Sequence, residues 1–416
     1  MRVSDPGSLS SPVPSSERIQ ALDIIRGFAL LGVLQMNLVY FSGDAYRDLA
    51  GAASFTGPAE AWLLWIRDWL LAGKSISLFS ILFGVGLSIQ MERARARGAG
   101  PGFALRRLSA LLLLGTAHSV LIWNGDILHI YALGGLAILP FLGRRPRVPL
   151  IWAAALFALG VLRTPVMELL RLPSAFHWST WQGQAAAFLV KADQAYGAGT
   201  WLEACRWRVW EWGALGPFYV THYLLTCVPL FLGGMALWGS GLLRSPERHL
   251  RAIRIGFHGT FWPGLALALG FPAMARLGGA DAGGGLLGMA LGDLAAYAVA
   301  VGYLLGILLL LQRPGWRAPL GLLAPMGRMA LTNYLAQSLI CSWLFNGHGL
   351  GLWNRLPGSV CVLGGCALFA AQVAWSRWWM ARFRFGPAEW LWRVLTYGCM
   401  QPFRAGDATN AALDGT

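Results

Sequence analysis

Apolar residues fall in long blocks along this chain, and short polar stretches rich in arginine separate them. Ten blocks stand out, at about 22–41, 75–91, 108–123, 127–142, 149–164, 217–239, 256–276, 285–311, 329–345 and 358–376. Each is on the scale of the helix needed to cross a hydrocarbon layer of roughly 30 Å at 1.5 Å per residue. The pattern predicts an all-α fold, a polytopic transmembrane helix bundle of about ten spans. Two further segments are expected to lie on the membrane surface. Residues 60–72 are apolar but short, carry Arg67 and Asp68, and hold tryptophans that suit an interfacial helix. The outer loop 165–216 is rich in tryptophan and charge and is expected to contain interfacial helices as well.

The arginines set the expected orientation. Loop 92–107 holds Arg93, Arg95, Arg97, Arg106 and Arg107; loop 143–148 holds Arg144, Arg145 and Arg147; loop 242–255 holds Arg244, Arg248, Arg251 and Arg254. Loop 312–328 holds Arg313, Arg317 and Arg328, and the stretch after 376 holds five more arginines. With an even number of spans, all five regions share one side. The positive-inside rule makes that side the cytoplasm and puts both termini there. The first block carries Asp23 and Arg26 at its start and lacks a clear small-residue cleavage site, so it reads as a retained helix. Residues 1–16, rich in Ser, Pro and Gly, and residues 405–416 are expected to be disordered tails around a single integral membrane domain over 17–404.

Composition agrees with this picture. Hydrophobic residues make up 56% of the 416 and charged residues only 12%, about half the share of a soluble domain. The net charge of +14 comes from arginine in connecting loops, since Lys74 and Lys191 are the lysines. That distribution is topological and excludes nucleic acid as a partner, for which a basic patch with interleaved aromatics is needed. The six cysteines form no C-x-x-C pair and read as packing residues.

Ionisable groups inside apolar blocks are expensive, which makes them candidates for function. His118 lies in the third block, about 15 Å from its start. Asp126 is at the following turn, His129 opens the fourth block, Asn37 stands near the outer end of the first, and His222 near the outer end of the sixth. These five could form one outward-facing cluster. The plainer alternatives are a buried histidine at 118, a helix cap at Asp126, and interfacial histidines at 129 and 222. No histidine pair is spaced to favour zinc, and no metal is expected. On the cytoplasmic side Asp23 and Arg26 share a helix face. Arg328, Asn333 and Gln337 open the ninth block, the last two also on one face. They read as a polar mouth for a phosphorylated donor, because arginine binds phosphate through paired hydrogen bonds. For Asp23 and Arg26 an ion pair fixing the helix end is the alternative. Asp293, with Tyr297 one turn away, marks either an arginine partner or a proton path.

Several motifs coincide with one family. Arg18-Ile-Gln-Ala-Leu-Asp23-Ile-Ile-Arg26-Gly27 through Asn37, Leu82-Phe-Gly-Val-Gly86, the His118–Tyr131 stretch, Pro325–Ser338 and Gly386–Arg393 together resemble the YeiB-like family of bacterial membrane proteins. The opening is also similar to that of heparan-alpha-glucosaminide N-acetyltransferase-type membrane acyltransferases. That resemblance implies acetyl-CoA, or another acyl-CoA, as a cytoplasmic co-substrate and carries over Asp23, Arg26 and Asn37. Those enzymes place a catalytic histidine soon after the first span, whereas residues 38–74 here contain none. His118 is then the substitute base, with Asp126 or Asn37 orienting it or the acceptor. The expected activity is transfer of an acyl group across the bacterial inner membrane, in a multi-pass protein, to a small-molecule or glycan acceptor. The oligomer is left open, a homodimer included. The alternative is a proton-coupled small-molecule transporter using Asp293 and His118.

Overall fold

The computed structural model of the chain describes residues 20–49, 57–98, 100, 102–169, 186–277 and 283–404. The expected tails at 1–16 and 405–416, and residues 170–185 of the outer loop, lie outside them. The fold is a bundle of helices. In chain order these are α1 (Gln20–Phe41), α2 (Asp44–Leu49), α3 (Pro58–Leu71), α4 (Lys74–Ala96), α5 (Gly102–Leu121), α6 (Leu128–Ala137), α7 (Arg147–Leu169) and α8 (186–192). There follow α9 (Trp201–Gly239), α10 (Leu250–Leu277), α11 (Gly283–Leu311), α12 (Pro314–Gly321), α13 (Ala324–Arg328), α14 (Ala330–Phe345), α15 (Gly358–Met380) and α16 (Pro387–Tyr397). Among the described residues there is no strand, only an isolated bridge between Phe383 and Arg404.

Each of the ten apolar blocks is helical. Five stretches of the described residues, within α1, α3–α4, α9, α11 and α15, are long and apolar enough to cross a membrane. The fourth block departs from expectation. Instead of running over 127–142, α6 stops at Ala137 and gives way to a short 3-10 turn over Leu139–Phe141. Pro140 is the cause, because its ring removes a donor and collides with the carbonyl one turn back. Ten residues of helix reach only about 15 Å. The sixth block departs the other way. Thr200 and Glu203 form a reciprocal capping box, so α9 starts at Trp201, well before the apolar stretch, and runs for 39 residues. Segment 60–72 falls in α3, where no side chain is fully buried and Trp69 donates to the Leu265 carbonyl at 3.1 Å.

Two close crossings index the bundle. A Cβ at Gly84 of α4 would fall on the Phe231 carbonyl of α9, and one at Gly234 of α9 on the Ile81 carbonyl of α4. Gly27 of α1 and Gly327 of α13 are related in the same reciprocal way to Leu323 and Asp23. Small residues let helix backbones meet in a membrane, where apolar side chains gain little by leaving lipid for protein. The second crossing sets Asp23 and Arg26 beside Arg328. A third approach, Gly115 of α5 against Leu128 and His129, brings the start of α6 onto the last turns of α5.

Candidate functional site

The turn between α5 and α6 carries a three-residue network. Asp126 is 3% exposed. Its Oδ1 lies 2.8 Å from His118 Nδ1, and its Oδ2 2.8 Å from His129 Nδ1. Oδ2 also accepts the His129 backbone N–H at 3.1 Å, and the Tyr334 hydroxyl donates to Oδ1 at 3.4 Å. Asp126 therefore caps the first turn of α6 while gripping two imidazoles. Burial works to raise its pKa; the hydrogen bonds from His118 and His129 outweigh that and hold the carboxyl below its ordinary value. With Asp126 ionised, each ring donates from Nδ1, and in a neutral ring that leaves Nε2 as the acceptor. Both Nε2 atoms are buried and, among the described residues, have no hydrogen-bond partner. His118 stands in the last turn of α5. Its ring lies 5.4 Å from Tyr334, while the His129 ring meets Trp212 edge to face at 4.6 Å.

A cavity of about 710 Å3 opens beside this network and runs the length of the bundle. At one end Arg26, Arg93, Arg97, Arg107, Arg328 and Arg393 line it, together with Asp23 and Glu389. At the other end its wall includes Asn37, Tyr46, Asp126, Glu211 and His222. Trp123, Tyr334 and Trp212 are part of the wall, whereas His118 and His129 sit behind it.

α16 crosses the arginine end. The Arg107 guanidinium lies 3.5 Å from the centre of the Trp392 ring, and Trp392 Nε1 donates to the Arg107 carbonyl at 2.9 Å. Glu389 accepts the Leu331 N–H at 2.7 Å, the Thr332 N–H at 3.1 Å and the Thr332 hydroxyl at 2.5 Å. It caps the first turn of α14. Asp23 and Arg26 form the ion pair that their spacing allows, at 2.9 Å, and both line the cavity. Asn333 and Gln337 are 1% and 2% exposed and do not line it. Asn333 donates to Ser376 at 2.9 Å, Gln337 donates to Gln372 at 2.8 Å, and Gln372 returns a bond to the Asn333 carbonyl at 3.0 Å. These two residues join α14 to α15.

The opposite end holds a network not foreseen from the sequence. Glu211, 3% exposed, accepts from Tyr46 at 3.1 Å, from Tyr196 at 2.5 Å and from Asn124 at 2.6 Å. Burial pushes its carboxyl up to about 7, against the opposing pull of those hydrogen bonds and of the Arg208 charge. Arg208 is 1% exposed and donates to the Leu121 carbonyl at 3.1 Å. The available signal was an Arg–Glu pair at i, i+3 in an aromatic run, Trp207-Arg208-Val-Trp-Glu211-Trp212. Among the described residues no group of His, Cys, Asp and Glu is arranged to hold a metal ion.

Apolar helices around a mainly apolar cavity, with arginines clustered at one end and the buried Asp126 turn at the other, define an integral membrane protein with a ligand-sized interior. The family model described as "Protein of unknown function (DUF418)" matches residues 237–399. The chain is 34% identical to "Uncharacterized protein YxaH" of Bacillus subtilis over 409 residues, covering 94% of this chain and 97% of the relative. It is 32% identical to "Uncharacterized protein YeiB" of Escherichia coli over 406 residues, covering 93% and 98%. A 39.9 kDa protein encoded in an amylase 3' region of Bacillus acidopullulyticus is 29% identical over 387 residues. The chain belongs to this YeiB-like family. The matched stretch holds Arg328, Asn333, Gln337 and Glu389; the His118–His129 turn lies before it.

Proposed function

We propose that the protein is a transmembrane acyltransferase of the bacterial inner membrane, taking an acyl group from cytoplasmic acyl-CoA and delivering it to an acceptor at the outer face. The observation that carries this reading is the cavity, which joins six arginines at one end to the buried Asp126 turn at the other. Arginine clusters suit the phosphates of CoA. Along α1, Arg26 and Asn37 are about 16 Å apart, the scale of an extended pantetheine arm. The thioester would then reach the Asp126 turn with its phosphates still at the arginines.

In this scheme His118 is the general base and Asp126 fixes its tautomer, leaving Nε2 as the acceptor. Nε2 takes the proton from an acceptor hydroxyl or amine as that atom attacks the thioester carbonyl. The C–S bond then breaks, and the CoA sulfur leaves with the proton returned by His118. Trp123 and Tyr334, between His118 and the cavity, have to shift for the acceptor to reach the ring. His129, held by the other oxygen of Asp126, is the symmetrical support.

The test uses purified protein in proteoliposomes. Acetyl-CoA should raise the melting temperature saturably, above free CoA and ATP. Arg26→Ala with Arg328→Ala should weaken this binding roughly tenfold. His118→Ala should keep the binding and abolish transfer of labelled acetyl to a membrane extract. Stabilisation by no acyl-CoA, or unchanged transfer by His118→Ala, would overturn the reading. Solute uptake without covalent change, dependent on a proton gradient, would establish the transporter alternative instead.

A further inference from the structure

One carboxylate on the cavity wall takes no part in the chemistry above. Asp293 lies on α11 about 27 Å of helix away from Leu311. It lines both the main cavity and a small adjoining chamber of about 30 Å3. Other acids of this chain have partners: Asp23 has Arg26, Asp68 has Arg67, Asp126 has two histidines, Glu211 has two tyrosines and an asparagine, and Glu389 has Thr332. Among the described residues Asp293 accepts no hydrogen bond and pairs with no Lys or Arg. An ionised carboxylate in an apolar wall is costly unless something compensates it. His222 lines the same chamber, and a cation entering the cavity is a further source of compensation.

The surroundings select the chemistry. Tyr297 stands one turn along α11, with its hydroxyl committed to the Thr226 carbonyl at 2.7 Å. Tyr219 and Tyr223 of α9 stack at 6.5 Å, and Tyr40 of α1 completes an aromatic wall. Aromatic faces attract cations, most of all poorly hydrated ones such as alkylammonium groups. The arginines that line the cavity all belong to its other end; at this end the basic side chain beside Asp293 is the imidazole of His222. A hydrated inorganic ion would want a shell of free oxygens, and the hydroxyls sharing the chamber with Asp293, those of Thr226 and Tyr297, already donate to backbone carbonyls.

We propose that Asp293, with Tyr40, Tyr223 and Tyr297, forms a binding site for a small organic ammonium ion. The site stands apart from acyl transfer, and no acyl donor enters its assay. The full chain in lipid nanodiscs is titrated at one fixed pH with tetramethylammonium and with benzylamine. Neopentyl alcohol, benzyl alcohol and sodium chloride serve as controls, and melting temperature and calorimetric heat are read. Both ammonium ions should stabilise saturably, and neither the alcohols nor sodium should. Asp293→Asn should weaken ammonium binding roughly tenfold or more. If that variant fails to fold, Tyr223→Leu carries the same expectation, with its unliganded melting temperature as the control. Equal stabilisation by the alcohols or by sodium, saturable binding by neither ammonium ion, or wild-type affinity in the folded variants would overturn the proposal. The last two outcomes would leave Asp293 as a carboxyl that simply carries a proton.

Discussion

Replacing Asp126 by asparagine isolates the network at the α5–α6 turn, because the shape is kept and the charge is lost. In the wild type three short hydrogen bonds converge on this carboxylate from His118 Nδ1, His129 Nδ1 and the His129 backbone, at 2.8, 2.8 and 3.1 Å, beside a longer one from the Tyr334 hydroxyl at 3.4 Å. An asparagine has a single acceptor oxygen. Turned toward His129, it keeps the cap and one imidazole, but its NH2 group then faces His118 Nδ1. The His118 proton has to move to Nε2 for that contact to survive. Hydrogen bonds to a charged group contribute about 1.5–3 kcal/mol each and neutral ones about 1, and here all three become neutral, the His118 one with its direction reversed. The expected cost is about 3 kcal/mol. The assay is chemical unfolding of the purified protein in mild detergent, run as a double-mutant cycle with His118→Ala. The two substitutions should couple by more than about 1 kcal/mol, well inside the range for residues in one network. Ring-nitrogen NMR adds a second readout, with the His118 hydrogen on Nδ1 in wild type and on Nε2 in the variant. A loss under about 0.5 kcal/mol, or additive single substitutions, would refute the view that Asp126 holds both rings.

Two further outcomes follow from other parts of the bundle. Glu211 is raised from 4.5 to about 7, so its protonated form is the one favoured on folding. Its contribution is fully present below pH 4.5 and is lost as pH rises through about 7, a difference of about 3 kcal/mol. Melting temperature measured from pH 5 to 8.5 should fall in wild type and flatten in Glu211→Gln; parallel curves would remove Glu211 as the cause. Gly84→Leu should drive α4 off α9, at a cost of roughly 3 kcal/mol or more as in other overpacked contacts, and should show as lost folded yield in membranes. Wild-type yield and melting temperature would mean that the α4–α9 crossing is not held closed.

What could be read from the chain was what lies close together in it. His118, Asp126 and His129 fall within twelve residues, so helix periodicity and one turn were enough to group them. The apolar blocks and arginine loops likewise marked the helices. Long-range pairing was not legible. Glu211 meets Tyr46 165 residues away, and Asn333 meets Ser376 43 residues away. Asn333 and Gln337 presented a polar stripe at i, i+4, which fits a ligand mouth and a helix–helix seam equally well. Only the opposing Gln372 and Ser376 show that the stripe faces α15. The shortness of α6 was written in Pro140, a local signal outweighed by the apolar run around it.

The polarity of the cavity has an electrical consequence. Its positive end is lined by arginines, and the carboxylate of Asp126 stands toward the other. In the orientation proposed here the positive end faces the cytoplasm, toward the negative side of an energised membrane. Each unit of charge carried across the full membrane potential gains or loses about 2.3 kcal/mol per 100 mV. A neutral acyl group passing along this cavity crosses no such term, so its transfer should proceed alike in energised and collapsed membranes. An ammonium ion drawn inward to Asp293 falls part of the way through the potential, so its occupancy would track the voltage. One cavity can thus keep a reaction indifferent to membrane energy while letting a ligand report it.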